Sequence, residues 1–106
     1  MALPVKRFDV RRFDAVKMQK VNLFETERFF CDVYCLEAGQ SQAPHAHAGA
    51  DKVYAVMEGT VTATVGSDEV VLGAGDAVLA PAGSEHGLRN PGPARAAVLV
   101  FMAPHP

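Results

Sequence analysis

The chain has 106 residues, 49% hydrophobic and 21% charged, which supplies one core and leaves no room for a second domain. Its formal charge of −2 excludes the basic field of a nonspecific nucleic-acid binder, and its apolar content excludes intrinsic disorder. No stretch approaches a membrane span, and the N-terminal segment has no apolar run of signal-peptide length, so a cytoplasmic protein is expected.

Residues 1–28 carry a net charge of +3 and the remainder −5. Two readings compete for the basic segment: an arm for RNA or an acidic partner, or a solvated pair of edge strands with Phe8 and Phe13 turned inward. Short basic clusters with interspersed acids are ordinary surface, so the edge-strand reading is adopted. Residues 15–23 fit strand or helix and are assigned as strand.

The run FFCDVYCLE, residues 29–37, reads as a strand. Cys31 and Cys35 lie four residues apart on it, about 13 Å at 3.3 Å per residue. A disulfide needs Cα atoms roughly 4.4–6.8 Å apart, so these two are expected to stay free and to behave as small hydrophobes.

From residue 29 onward glycines and prolines recur at short intervals. Between them lie strand-length runs at 51–57, 60–65, 68–72, 76–80, 86–90 and 95–103. Thr60, Thr62 and Thr64 alternate with Val61, Ala63 and Val65, a half-buried strand, and Gly66-Ser67 follows as a tight hairpin turn. The pattern is all-β and implies a sandwich or barrel.

There are four histidines. His45 and His47 are two apart, so an extended chain presents both imidazoles on one face. His86 follows about 40 residues later, after Pro81-Ala82-Gly83, where a neighbouring strand can supply a third ligand. H-x-H alone is a weak signal. His105 falls in a proline-bounded tail that cannot pair as a strand.

The surroundings carry more information. GQSQAPHAH, from Gly39 to His47, with Gly59 closing the next strand, resembles the first signature of the cupin superfamily. GDAVLAPAGSEHGLRN, from Gly75 to Asn90, resembles the second at each of its defined positions. Residues 39–90, about half the chain, are covered. The resemblance implies a double-stranded β-helix (jelly-roll) barrel in a single domain over 1–106, with N-terminal strands or arm at 1–28 and the barrel at 29–104. It also implies one divalent metal ion (Fe, Zn, Ni, Mn or Cu) held by His45, His47 and His86.

A fourth ligand in the family is a glutamate, and the matching position here is Lys52, whose ammonium cannot ligate. Asp51 is adjacent, but a one-residue shift on a strand turns a side chain to the other face. Two readings of Lys52 stand: an inward catalytic or substrate-binding cation, or a side chain that snorkels out to Asp51 or Glu85. Tyr34, Tyr54 and Phe101 are expected to line the barrel and its substrate pocket, with Met57 and Met102 as further lining or core. The resemblance implies an enzyme acting on a small oxygenated or anionic organic substrate, either dioxygenase-like or a lyase or isomerase. The alternative is a non-catalytic ligand-binding or sensor module. A homodimer paired through the N-terminal strands is the expected assembly.

Overall fold

Nine strands account for the regular structure of the computed structural model, which describes residues 2–106. They are β1 (Gln19–Glu25), β2 (Phe30–Leu36), β3 (Ser41–His45), β4 (Asp51–Glu58), β5 (Thr60–Val65), β6 (Asp68–Gly73), β7 (Ala77–Ala80), β8 (His86–Arg89) and β9 (Ala96–Ala103). Two antiparallel sheets form, one in the order β1-β2-β9-β4-β7 and the other β3-β8-β5-β6. The all-β chain expected from the punctuation and the jelly roll implied by the resemblance are the fold observed, and among the described residues there is no helix.

Side-chain parity assigns the faces. In β9, Ala96, Val98 and Val100 point into the space between the sheets, where they meet Tyr34, Leu36, Tyr54, Val56, Val61 and Leu88. Each buried valine or leucine among them contributes about 1.5–3 kcal/mol. A second core lies on the outer face of the five-stranded sheet: Val21, Leu23, Val33, Cys35 and Ala97, with Phe13, Phe24 and Met57 packed against it. That two-sided covering is why β2 is buried on both faces at its C-terminal end. Met57, expected as lining or core, packs against this outer core, and Met102 is fully buried on the inner face.

The β5–β6 hairpin turns through Gly66-Ser67 with Val65 opposite Asp68, as its sequence requires, and Gly66 takes φ +61. Gly59, between β4 and β5, takes φ +77, and a Cβ there would run into the Arg95 carbonyl oxygen.

Residues 2–28 form one strand, not two. Before β1 the described residues run as an arm without ladder pairing, and Phe8, expected to face inward, is exposed. Side chains tie the arm down instead of a ladder. Arg11 Nε donates to Glu58 at 3.0 Å, the Arg12 N–H donates to Cys35 Sγ at 3.4 Å, and the Arg95 guanidinium lies 4.5 Å from the Phe13 ring centroid. Both cysteines are free, Cys35 buried and Cys31 partly so.

Candidate metal centre

Pro44 has no N–H to give to a ladder, so the β3–β8 register slips between Gln42 and His45. Gln42 lies opposite Leu88 and His45 opposite His86. Gly87 permits the close approach: a Cβ at that position would stand 2.8 Å from the Gln42 carbonyl oxygen and 3.1 Å from the Pro44 nitrogen. His47 lies just beyond β3, and its carbonyl accepts the Gly83 N–H at 2.9 Å. On the other side, Asp51 Oδ1 accepts the Ala82 N–H at 2.8 Å. The Pro81–Gly83 turn is thereby pinned to the chain that carries His47, and it delivers His86.

The three histidines meet. Ring centroids are 4.5 Å apart for His45 and His86, 4.8 Å for His45 and His47, and 5.6 Å for His47 and His86. One ring nitrogen from each lies within 4.8 Å of the others. An ion held tetrahedrally at about 2.1 Å sets nitrogen separations of about 3.4 Å, so the nitrogens must draw together by at most about 1.4 Å.

The donor chemistry fits a metal. His45 Nδ1 lies 3.0 Å from the Ala43 carbonyl and His86 Nδ1 lies 3.1 Å from the Ser84 carbonyl. A carbonyl only accepts, so both Nδ1 atoms donate, and each Nε2 keeps a free lone pair. His86 is buried, yet among the described residues its Nε2 has no hydrogen-bond partner. An orphaned buried nitrogen costs about 1–3 kcal/mol unless something binds it. Burial, opposed by the Ser84 carbonyl and reinforced by the charge of Lys52, pushes the His86 pKa down to about 4. Burial, His45 and Lys52 lower that of His47. Both shifts favour the neutral imidazole at His47 and His86, the form that ligates.

Lys52 points inward, as strand parity with Tyr54 predicts. It is 1% exposed, and its Nζ lies 5.3 Å from the Tyr54 ring centroid, 5.4 Å from Tyr34 and 6.0 Å from Phe30. The snorkelling reading is overturned: Asp51 is engaged with Ala82, Glu85 is exposed, and among the described residues no carboxylate lies within 4.0 Å of Nζ. Burial and the charge of Lys20, against the pull of Asp32, bring the Lys52 pKa down to about 8.

Tyr34 and Tyr54 are buried beside Lys52, and Gln42 links them. The Tyr54 hydroxyl donates to Gln42 Oε1 at 2.9 Å, and Gln42 Nε2 donates to the Tyr34 hydroxyl at 3.4 Å. Burial pushes the Tyr34 pKa up to about 12 and raises that of Tyr54 further. Phe101 is not with them. Its neighbours Val100 and Met102 point inward, so Phe101 points outward, 41% exposed and stacked on Phe29 at 5.3 Å.

Two charged residues on the inner face escaped the sequence reading. Asp32 is buried on β2 and accepts from Asn22 Nδ2 at 2.8 Å; burial, opposed by Asn22, raises its pKa. Lys20 is the cross-strand partner of Tyr34, with Nζ 5.2 Å from that ring. The available signal was parity, since Asp32 shares a face with Tyr34 within FFCDVYCLE. A cavity of about 340 Å³ opens beside His47, between residues 46–50 and the C-terminal Pro104, His105 and Pro106.

The family described as Cupin domain matches residues 32–102. A Thermus thermophilus protein of known crystal structure is 42% identical, superposes with a TM-score of 0.95, and is matched over 98% of this chain and 100% of its own. A Klebsiella pneumoniae protein with a double-stranded β-helix domain is 26% identical over 88% of this chain and 82% of its own, with a TM-score of 0.81. A Thermotoga maritima protein, described as a predicted oxalate decarboxylase, is 19% identical with a TM-score of 0.78, over 83% and 81% of the two chains. No curated protein matches. From the strand order, the two signatures and the family match together, the chain belongs to the cupin family.

Proposed function

We propose that this cupin binds one divalent metal ion through His45, His47 and His86 and acts on a small, oxygen-rich, anionic organic substrate. The observation that carries the reading is the buried His86 Nε2, which has no partner and lies with one nitrogen each of His45 and His47 inside 4.8 Å. Three imidazoles suit Fe, Zn, Ni and Cu, and they leave coordination positions open, as catalytic sites do. The ion would polarise a carbonyl or carboxylate oxygen of the substrate, or activate O₂.

The chain's own residues supply the rest. Lys52 as ammonium attracts the substrate's negative charge, and with a pKa near 8 it also exchanges a proton at neutral pH. The ring faces of Tyr34, Tyr54 and Phe30 exclude water around Nζ. Gln42 holds both tyrosine hydroxyls and fixes their orientation. Dioxygenase-like chemistry is the leading class, with lyase or isomerase chemistry next.

The test is turnover by metal-loaded protein. O₂ consumption with small diketones or keto acids, lost in His86→Ala, supports the oxygenase class. Conversion without O₂ consumption moves the protein to the lyase and isomerase class. Saturable ligand binding without conversion makes it a sensor module.

A further inference from the structure

Of the four lysines, Lys6, Lys17 and Lys20 are exposed and Lys52 is buried. Lys52 Nζ has three aromatic rings within 6.0 Å, while Asp32, the carboxylate on the same inner face, is bonded to Asn22. A second amine, Lys20, lies 5.2 Å from the centroid of the same Tyr34 ring. An amine desolvated by ring faces, without an ion-pair partner and near another cation, is held ready as a nucleophile.

We propose that Lys52 captures carbonyl compounds: its Nζ forms a reversible imine with a small 2-oxo carboxylic acid whose carboxylate is held by Lys20. The nitrogen lone pair adds to the carbonyl carbon, and the carbonyl π electrons pass to oxygen, which takes a proton. The carbinolamine then loses its hydroxyl with the remaining nitrogen proton as water. Amine plus carbonyl gives imine plus water, with no oxidant or reductant consumed.

The charge balance supports the step. With a pKa near 8, about a tenth of Lys52 is the free amine at pH 7, against roughly 0.04% for a lysine at 10.4. The proposal uses the same inner face as the metal reading but does not require the ion.

The experiment is reductive trapping with pyruvate and cyanoborohydride, run on metal-free and on metal-loaded protein and read by intact mass and peptide mapping. The expected result is a label on Lys52 that forms at least about tenfold faster than on Lys6 or Lys17 and is absent in Lys52→Met. Acetaldehyde, which has no carboxylate, separates capture from anion holding. Lys20→Met is expected to lower the pyruvate-to-acetaldehyde rate ratio at Lys52. An even distribution over the lysines, or no label on Lys52, overturns the proposal. A ratio unchanged in Lys20→Met overturns the role of Lys20. Loss of metal binding with Lys52 still labelled defeats the metal reading alone.

Discussion

His45 and His86 face each other as cross-strand partners with ring centroids 4.5 Å apart, and the residue that lets them do so is Gly87. Gly87→Ala would drive a methyl group against the Gln42 carbonyl and Pro44, so β3 must move away from β8. We expect a loss of about 1–3 kcal/mol in stability together with weaker metal binding, although no ligand is removed. Thermal melts and metal titration of the variant check this. A variant with wild-type values for both would show that the close approach is not needed.

The ligand set separates cleanly from the fourth histidine. His45→Ala, His47→Ala and His86→Ala should each abolish stoichiometric metal binding. His105→Ala should leave it intact, because His105 Nε2 pairs with Glu25 at 3.0 Å and lies outside the cluster. Elemental analysis of the four variants is the measurement. Metal lost from His105→Ala and retained in His86→Ala would reverse the assignment.

Lys52→Met should stabilise the protein at neutral pH. The folded pKa of Lys52 is about 8, below its unfolded value, so between these values the unfolded chain binds more protons. Wild-type stability therefore carries a penalty that is full below pH 8 and disappears as pH rises toward 10.5. Replacing the amine by a methionine of similar length should raise stability by about 1–3 kcal/mol at pH 7 and by much less near pH 10. Denaturant melts of both proteins across that range would show it. A gain independent of pH would mean that packing, not charge, separates them.

Lys52→Glu should restore the carboxylate that the family places at this position. It removes a cation near the histidines and adds a hard oxygen ligand, so preference should move toward manganese and ferrous iron. Titrations of Mn(II) and Zn(II) into wild type, Lys52→Glu and Lys52→Met read the shift. Three superimposable pairs of curves would remove Lys52 from the neighbourhood of the ion.

The histidine cluster was legible because H-x-H shares a face of extended chain and because the two signatures that resemble the cupin superfamily join His45 and His47 to His86. The inward aim of Lys52 was legible from parity with Tyr54. The placement of Phe101 was not. Whether Phe101 or Met102 faces the barrel depends on β9 pairing Lys52 with Met102 and Val53 with Phe101, a long-range register that no local pattern encodes. Lys20 was hidden for the same reason, since it reaches the inner face through the β1–β2 register, whereas parity with Tyr34 places Asp32 there. The arm misled because Phe8 and Phe13 alternate with charges as a strand would, while tertiary contacts of Arg11, Arg12 and Phe13 decide its path.

The central claim is that His45, His47 and His86 hold one metal ion. Elemental analysis of wild-type protein purified without chelators, beside His86→Ala prepared identically, tests it most directly. About one divalent transition-metal ion per wild-type chain is expected, and almost none in the variant. Equal metal in both, or a wild-type protein that takes up none when Fe(II), Zn(II), Ni(II), Mn(II) and Cu(II) are supplied in turn, would contradict it.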